Sequence, residues 1–405
     1  MNCFIIPIVA IALSVPVYAE EPAMRSLFNG KDLTGWTGDG YKVENGSIVC
    51  TPEGKNLITD GIFSNYLLEF EFKLPPGGNN GLGIHHPGND PVDSTGMELQ
   101  ILDNTDPKYG ELKDAQFNGS LYLLAAAKKS GLKPVGEWNH ERVSLLGSGL
   151  LVELNGEIIL RANLDDVSSR NPTHQGAKRR AGRLALLGHG DAVAFRNIQI
   201  AEIPPAANIE GVLAAGFTRL FDGKSLAGWK PGDVPDWSVT NGILRFSGQH
   251  SEPTTLRTEK EFGDCTLVFD WRWSALTRPS AGGGAPGLRE SHPLGSAIHL
   301  RGADGYQINL TNLPGGSGEA TRSQGTSKTA AEPGPHTKPK TNADRPVGEW
   351  NRTMITIQGD SLSVSLNGRV VIENARCPGS PATGFVGIQG HHAAIDFANV
   401  WIKDL

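Results

Sequence analysis

The sequence predicts an all-β protein built from two tandem sandwiches of antiparallel strands. Three observations support this fold class: an excess of turn-forming residues, apolar side chains that alternate with a period of two, and a set of motifs that occurs twice. The chain has 405 residues with 51 glycines and 26 prolines, well above the roughly 12% that these two residues contribute to an average protein. Such a composition favours short strands joined by many turns over long helices.

The alternation is clearest in two stretches that occupy equivalent places in the two halves. In the first, four apolar side chains fall on one face of a predicted strand: Leu68, Phe70, Phe72 and Leu74. The second, over residues 267–273, points Asp270 and Arg272 to its outer face. A period of two over this length is typical of half-buried antiparallel strands. Asn-Gly pairs at 155–156 and 367–368 lie between strand-like runs and predict hairpin turns.

Four motifs recur in the same order, which indicates a duplicated domain. They are LFNGKDLTGW (27–36) and LFDGKSLAGW (220–229), GEWN (136–139 and 348–351), LNG (154–156 and 366–368), and FRNIQI (195–200) with FANVWI (397–402). The number of residues that separates the two copies differs from motif to motif, as expected if loops have been inserted. We therefore predict a first domain at 25–203, a linker at 204–216 and a second domain at 217–405, with a mobile, Gly/Ser/Lys-rich loop at about 313–346.

The first 19 residues have the features of a secretory signal peptide. Residues 4–17 are almost wholly apolar, are too short to cross a bilayer as a helix, and lead to a small-residue cleavage site after Ala19. The alternatives are a buried N-terminal strand or an uncleaved anchor. The signal predicts a secreted protein, periplasmic or extracellular, with no membrane span in the mature chain. Its remaining cysteines, Cys50, Cys265 and Cys377, allow at most one disulfide, and their apolar neighbours favour buried thiols.

Charge and missing motifs exclude several function classes. The 37 basic and 43 acidic residues give a formal net charge of -6, so no general cationic surface would attract nucleic acid. The sequence has no nucleophile elbow, P-loop, HExxH motif or EF-hand loop.

The predicted strand at 96–103 carries the best candidate catalytic residues. Glu98 and Gln100 share the face opposite its apolar side chains. A carboxylate beside an amide can bind sugar hydroxyls or act as a base, although a solvated outer face is the alternative. In the second copy the two positions are Gln307 and Asn309. Because amides cannot accept a proton at neutral pH, the first domain is the better catalytic candidate.

Several other polar residues are candidates because of their motifs. His85 follows a glycine-rich run, and His189 is flanked by glycines in a segment that recurs in the second copy. His189 could be a general acid or base, a ligand to hydroxyls, or a turn residue that caps backbone groups. Glu137 lies beside Trp138 in a Gly-Glu corner. Three carboxylates could bind calcium, although aspartates in turns more often serve the turn: Asp103, Asp106 and Asp191.

Taken together, the motifs resemble the 3-keto-disaccharide hydrolase family of secreted bacterial domains. The resemblance rests on LFNGKDLTGW, NNGLGI (79–84), GMELQILDN (96–104), KPVGEWN (133–139), LGHG (187–190) and FRNIQI. It covers essentially all of the first domain, whereas the second matches well at its ends and poorly at its centre. The resemblance implies concanavalin-A-like jelly-roll sandwiches and action on glycosides whose C3 hydroxyl has been oxidised to a ketone. Family members usually have arginine where His85 stands, so a cationic contact is weakened here.

The substrate class that this resemblance implies needs few catalytic groups. A C3 ketone acidifies the hydrogen on C2, so that a base can remove it, the aglycone can leave from C1 and water can add back. We expect Glu98 and His189 to act as base and acid, in either order. The candidate substrate-binding residues are His85, Gln100, Tyr122, Glu137 and Asn139. No cofactor is required in this scheme, and calcium is an open alternative. The main alternative function is a tandem, non-catalytic carbohydrate-binding protein of the envelope, and a structural or adhesion protein is the third.

Overall fold

The computed structural model describes residues 21–88, 95–206, 209–231, 236–249, 253–274, 294–323, 337–391 and 393–405. The predicted signal peptide at 1–19 lies outside this range. So do residues 324–336 of the predicted loop at 313–346. Within the described ranges, no helix is long and apolar enough to cross a membrane.

The first repeat folds into two antiparallel sheets. Its strands are β1 (Arg25–Ser26), β2 (Trp36–Gly38), β3 (Tyr41–Glu44), β4 (Ser47–Cys50), β5 (Asn56–Thr59), β6 (Tyr66–Lys73), β7 (Asn79–His86), β8 (Met97–Leu102), β9 (Trp138–Leu146), β10 (Gly149–Leu154), β11 (Glu157–Asn163), β12 (Arg183–Leu187) and β13 (Ala194–Glu202). The larger sheet has the order β11-β10-β9-β6-β13-β4-β3, with β1 paired to β13. The smaller sheet, β2-β5-β12-β7-β8, is called the site sheet below.

The second repeat has the same plan. Its strands are β14 (Thr218–Arg219), β15 (Trp229–Lys230), β16 (Trp237–Thr240), β17 (Ile243–Phe246), β18 (Thr254–Phe262), β19 (Cys265–Trp273), β20 (Gly295–Leu300), β21 (Tyr306–Thr311), β22 (Ala320–Arg322), β23 (Asn351–Gln358), β24 (Ser361–Leu366), β25 (Arg369–Arg376), β26 (Gly384–Gly390) and β27 (Ile395–Asp404). The orders are β16-β17-β27-β19-β23-β24-β25, with β14 on β27, and β15-β18-β26-β20-β21-β22. The predicted tandem all-β sandwiches are confirmed.

In the described parts of the chain, helical structure is confined to short connections. Helix α1 (Leu164–Arg170) follows β11, and the Asn163 side chain caps it by accepting from two backbone N–H groups. Helix α2 (Ile209–Ala214) lies in the segment predicted as the linker. Three single turns of 3₁₀ helix are also present: Pro107–Tyr109, Asp114–Gln116 and Gly176–Lys178.

Each sandwich encloses its own apolar core between its two sheets. The alternating side chains of β6, including Phe70 and Phe72, face the first core, and those of β19, including Phe269 and Trp271, face the second. The three cysteines of the described chain are buried and unpaired, as their apolar neighbours predicted. Burial raises the pKa of Cys265 and of Cys377 to about 11, so both are uncharged thiols at neutral pH.

The part of the second repeat that was predicted as a loop at 313–346 contains ordered structure. Residues 320–322 form strand β22, which pairs with β21. The Ser317 N–H donates to the Asp344 carboxylate across 2.7 Å, which ties the two described ends of the segment together. The sequence did not predict this strand because the segment contains few apolar residues. The strand lies at the edge of the sheet, where few side chains need to be buried, so it forms without them.

A buried charge cluster joins the two sandwiches. Glu202 ends the first repeat and accepts from Arg272 and, at 2.9 Å, from Arg245 of the second. Arg272 also lies 2.9 Å from Asp396 and donates to the Ser64 hydroxyl at 3.0 Å. Burial raises the pKa of Glu202, but the surrounding guanidinium groups outweigh it and hold that pKa far below its usual range. The sequence placed Arg272 on an outer face, and it is 1% exposed because that face packs against the first repeat.

An apolar contact lies beside this cluster. A Cβ atom on Gly348, which has a φ of +92°, would stand 2.4 Å from Ile62 Cγ2 and 2.9 Å from Ala181 Cβ. Glycine at this corner therefore lets the second repeat approach the first closely. The Arg272 guanidinium lies 5.0 Å from the ring centroid of Trp350, so that the charged and apolar contacts form one surface.

A buried carboxyl group in the first core makes stability depend on pH. Glu141 lies on β9 opposite Phe70, is 0% exposed, and neither of its oxygens has a hydrogen-bond partner among the described residues. Burial raises its pKa from 4.5 to about 8. Between these values the native state holds a proton that the unfolded chain has released, so the free energy of unfolding falls as pH rises through that window.

We therefore expect Glu141→Gln to remove this decrease in the free energy of unfolding with rising pH. The variant should match the parent protein in the free energy of unfolding near pH 5 and exceed it at pH 8, by on the order of 1.4 kcal/mol for each unit of pKa shift. Urea unfolding at the two pH values measures the difference. Glu111→Gln, at an exposed position, is the matched control and should shift neither value. An increase in the free energy of unfolding that is equal at both pH values would contradict the assignment of this pH dependence to Glu141.

Candidate active site

The face of the site sheet that points away from the core carries two polar side chains above two glycines. Glu98 and Gln100 on β8 point away from the core, and the residues directly opposite on β7 are Gly83 and Gly81. Opposed residues of an antiparallel pair share a face, so no side chain from β7 competes for this space. A Cβ atom on Gly81 would lie 2.1 Å from Glu98 Oε1. The Glu98 carboxylate therefore lies over Gly81, and "the trough" below denotes these four residues.

This face is not the solvated surface that the sequence left open as an alternative. Glu98 is 9% and Gln100 is 5% exposed. The segment after β8 turns back along its edge, where Gln100 N–H donates to Ser120 O and Gly119 N–H donates to Gln100 O. A carboxylate in such a partly enclosed position is a better base than one in bulk water, because less hydration must be removed before it reacts.

Hydrogen bonds fix the orientation of the Gln100 amide. Its Nε2 donates to Asn79 Oδ1 at 3.0 Å, and the Asn79 N–H donates to Asp191 Oδ2 at 3.0 Å. Asn79 was not among the residues singled out from the sequence. The sequence feature that could have indicated Asn79 is the Asn-Asn pair at the start of the glycine run 79–84. An amide at the start of a glycine-rich strand can contact side chains only on the neighbouring strands of the sheet.

Tyr122 lies on the same face as Glu98. Leu121 bridges to Leu99, and the Tyr122 N–H donates to Glu98 O at 2.8 Å, so the tyrosine is directly opposite the glutamate. Its hydroxyl accepts from Gln116 Nε2 at 3.0 Å. The structure thus groups three of the residues singled out from the sequence, Glu98, Gln100 and Tyr122.

His189 lies at the Asn79 end of the trough. It is exposed in the loop between β12 and β13, two residues before the aspartate that accepts from Asn79. Partial burial of its ring lowers the pKa of His189, and the Asp191 carboxylate offsets part of that effect. Its imidazole is therefore neutral at pH 7. No hydrogen bond joins His189 to Glu98 among the described residues.

The structure contradicts the prediction that His85 contacts substrate. His85 is 1% exposed, adopts a φ of +53°, and lies against Gly182, where an added Cβ would meet His85 Cα at 2.5 Å. Burial, with the charge of Arg180 nearby, lowers its pKa to about 3. The irregular pairing of β12 with β7 at this point turns the histidine into the interior, which an alternating pattern cannot foresee.

Asn139 is also a structural residue. It is 1% exposed, and its Oδ1 accepts from Lys133 N–H at 2.9 Å and from Asn155 Nδ2 at 2.8 Å. In the second repeat Asn351 accepts from Arg345 N–H and Asn367 Nδ2 at the same two distances. The position of Asn139 does not support the prediction that it binds substrate, because its carbonyl oxygen accepts hydrogen bonds from the hairpin that it supports.

Glu137 is separated from the trough. It is exposed at the turn that leads into β9, a strand of the other sheet. No hydrogen bond or ion pair connects its carboxylate with Glu98 or Gln100 in the described part of the chain. A role in substrate binding is not supported by this position.

The three aspartates proposed as calcium ligands each serve the backbone. Asp103 accepts from Gly77 N–H at 2.9 Å and from Thr105, Asp106 accepts from Lys108 N–H, and Asp191 accepts from Asn79 N–H. Burial raises the pKa of Asp103, but the hydrogen bonds from Thr105 and Gly77 outweigh it and lower that pKa overall. The described residues contain no group of three acidic, histidine or cysteine side chains placed to hold a metal ion. Calcium dependence stays a prediction.

Comparison with known proteins identifies the family. Residues 23–201 and again 216–403 match the family model described as the 3-keto-alpha-glucoside-1,2-lyase-like domain. The chain belongs to this family. A Bacteroides thetaiotaomicron protein named 3-keto-disaccharide hydrolase is 28% identical over 237 residues, which are 47% of this chain and 81% of that protein. The family description names a lyase and the relative is named a hydrolase, and both names refer to 3-keto sugars.

Solved structures similar to this 3-keto-alpha-glucoside-1,2-lyase-like chain cover one repeat at a time. A Parabacteroides distasonis protein, proposed to be a glycosyl hydrolase, is 26% identical, with 45% of this chain and 94% of that protein aligned and a TM-score of 0.41. A carbohydrate-binding module of Bacillus subtilis is 17% identical, with coverages of 44% and 96% and a TM-score of 0.31.

The hydrogen bonds of Asn139 predict a loss of stability on substitution. Asn139→Ala and Asn351→Ala should each lower the free energy of unfolding by about 1–3 kcal/mol, because each leaves buried donors without an acceptor. Chemical denaturation of the full chain measures both. An Asn139→Ala variant with unchanged stability and a large loss of ligand affinity would restore the substrate-binding role.

Proposed function

We propose that the first repeat cleaves 3-keto-glycosides at the trough and releases the aglycone. The observation that carries the proposal is the Glu98 carboxylate, held beside the Gln100 amide above a glycine floor. The family match and the hydrolase relative support the substrate class. In the second repeat the same positions are Gln307 and Asn309, so only the first has a carboxylate at the position of Glu98.

The proposed reaction begins with proton transfer to Glu98. The C3 ketone acidifies the C2 hydrogen, Glu98 takes that proton, and the electron pair left behind forms the C2–C3 double bond of the enolate. Collapse of the enolate expels the C1 oxygen with its bonding pair, and a proton transferred to that oxygen completes the aglycone. Water then adds across the resulting enone, so that the sum is hydrolysis. Among the contributions to catalysis, hydrogen-bond donors positioned to stabilise the enolate oxygen lower the activation barrier most.

The other residues of the face divide the remaining tasks. Gln100 and Tyr122 can hold hydroxyls of the bound ring, since Gln100 is oriented by donating to Asn79 and the Tyr122 hydroxyl by accepting from Gln116. His189, at the Asn79 end, can transfer a proton from its imidazolium form to the leaving oxygen, which returns the ring to the neutral form that predominates at pH 7. We assign proton abstraction to Glu98 and donation to His189 because the carboxylate lies within the trough and the imidazole at its rim.

The proposed place of this reaction is outside the cytoplasm. The apolar segment at 4–17 and the small-residue cleavage site after Ala19 support secretion to the periplasm or medium. N-terminal sequencing of the protein recovered from the native host tests the cleavage after Ala19.

Aglycone release from a chromogenic 3-keto-α-glucoside tests the activity. The parent chain should release the chromophore from the keto form and not from the ordinary glucoside. Glu98→Gln, which keeps the shape and removes the base, should lower kcat by a factor of about 10²–10⁴ with little change in KM. Glu137→Gln is the control and should retain activity. Binding of the keto form without any release by the parent chain would support a non-catalytic carbohydrate-binding protein instead.

The close approach of the Glu98 carboxylate to Gly81 leads to a second prediction. In Gly81→Ala the new methyl group occupies the position of Glu98 Oε1, and the flexible carboxylate can move away at little cost in stability. A displacement of about 1 Å at the base should lower kcat on the order of 100-fold. Kinetics and thermal unfolding of this variant are compared with Ala185→Gly, which changes the same face of the neighbouring strand. Full activity in Gly81→Ala would show that the carboxylate position is not critical.

A further inference from the structure

The second repeat has its own polar surface at the place that corresponds to the trough. On β21, Gln307 and Asn309 occupy the positions of Glu98 and Gln100, and they lie opposite His299 and Ala297 of β20. The two glycines of the first repeat are thus replaced by side chains. The surface that results is formed by side chains rather than by exposed backbone.

The amides of this surface form a connected chain. Gln307 Nε2 donates to Asn309 Oδ1 at 2.9 Å, and Asn309 Nδ2 donates to Glu319 Oε2 at 3.2 Å. The adjacent strand β26 adds Gln389, which pairs with Ala297. All four polar side chains are half-buried, so they are held in position and still reach solvent. This arrangement offers both donors and acceptors in a row.

His299 adds an oriented ring at the centre of the surface. Its Nδ1 lies 3.1 Å from the Ser323 hydroxyl, and its Nε2 is buried without a hydrogen-bond partner among the described residues. Burial lowers the pKa of His299, so the ring is neutral at pH 7. Buried polar atoms of this kind nearly always have a partner, and a ligand hydroxyl would supply one.

The surface also has an aromatic end. Phe385 lies on β26, two residues from Gly387, which pairs with His299. The Arg257 guanidinium lies 6.0 Å from the Phe385 ring centroid. Sugar rings have apolar faces and polar edges, and a surface with amides, a neutral histidine and one aromatic ring matches both.

We propose that this surface of the second repeat binds one α-glucoside unit without cleaving it. The sugar class rests on the proposed function of the first repeat, and the binding geometry rests on the second repeat alone. Gln307 replaces the carboxylate base and cannot accept a proton. Ala297 replaces Gly81, over which the Glu98 carboxylate lies in the first repeat, and His299 replaces Gly83, so that a ring would bind at the level of the amides.

Methyl NMR of the full chain tests the proposal. The protein carries Glu98→Gln, labelled isoleucine methyl groups report on each repeat, and the probes are methyl α-glucoside and its 3-keto derivative. We expect shifts at Ile298 and Ile308, which lie on β20 and β21. The double variant Gln307→Ala/Asn309→Ala should weaken binding at least about tenfold. Gln358→Ala, an exposed amide on the other sheet of the same repeat, should leave the affinity unchanged.

Three results would overturn the inference. They are the absence of shifts at Ile298 and Ile308 with both probes, an unchanged affinity in the double variant, and residual aglycone release by the Glu98→Gln chain that His299→Ala abolishes. If the double variant does not fold, Thr321→Trp places a large ring beside Gln307 and should block binding instead. Aglycone release by the parent chain is measured in parallel. Release without binding at the second repeat refutes this inference alone, and binding without release refutes only the proposed function.

Discussion

Cross-strand opposition in an antiparallel sheet is the constraint on which the site depends. Two directly opposed residues share one face, so the side chain on β7 determines the space that its partner on β8 can use. Gly81 and Gly83 leave that space to Glu98 and Gln100. In the second repeat the corresponding partners have side chains, and the same backbone geometry yields a different surface. Substitutions at two pairs of opposed positions therefore change the chemistry without altering the fold.

The scaffold tolerates this divergence because its supports lie elsewhere. The asparagine pair Asn139 and Asn155 ties a loop to a hairpin in the first repeat, and Asn351 with Asn367 repeats the same bonds at the same distances. These ties belong to the larger sheets, whereas the polar surfaces belong to the smaller ones. Changes on a smaller sheet consequently leave the hairpin registers intact. This separation explains why the ends of the two repeats match well and their centres poorly.

The sequence predicted whatever depends on local pattern and missed what depends on distant packing. Alternation on β8 placed Glu98 and Gln100 on one face correctly, since a period of two follows from the strand itself. Arg272 has the same alternating signal, yet the first repeat covers it. His85 follows an irregular pairing that reverses its direction. The role of Asn139 depends on Asn155, and a residue type alone does not distinguish a structural amide from one that binds a ligand.

The contact between the repeats is heterologous, with a corner of the second packed on a different face of the first. Contacts of this type generate open-ended assemblies when every unit presents both surfaces. Here the second repeat has Glu261 and Thr383 where the first has Ile62 and Ala181, and these two polar side chains are exposed and lie within hydrogen-bonding distance of each other, at 3.4 Å. The face that would accept a third unit is thus hydrophilic. The apolar contact that Gly348 makes with the first sandwich therefore has no counterpart on the second.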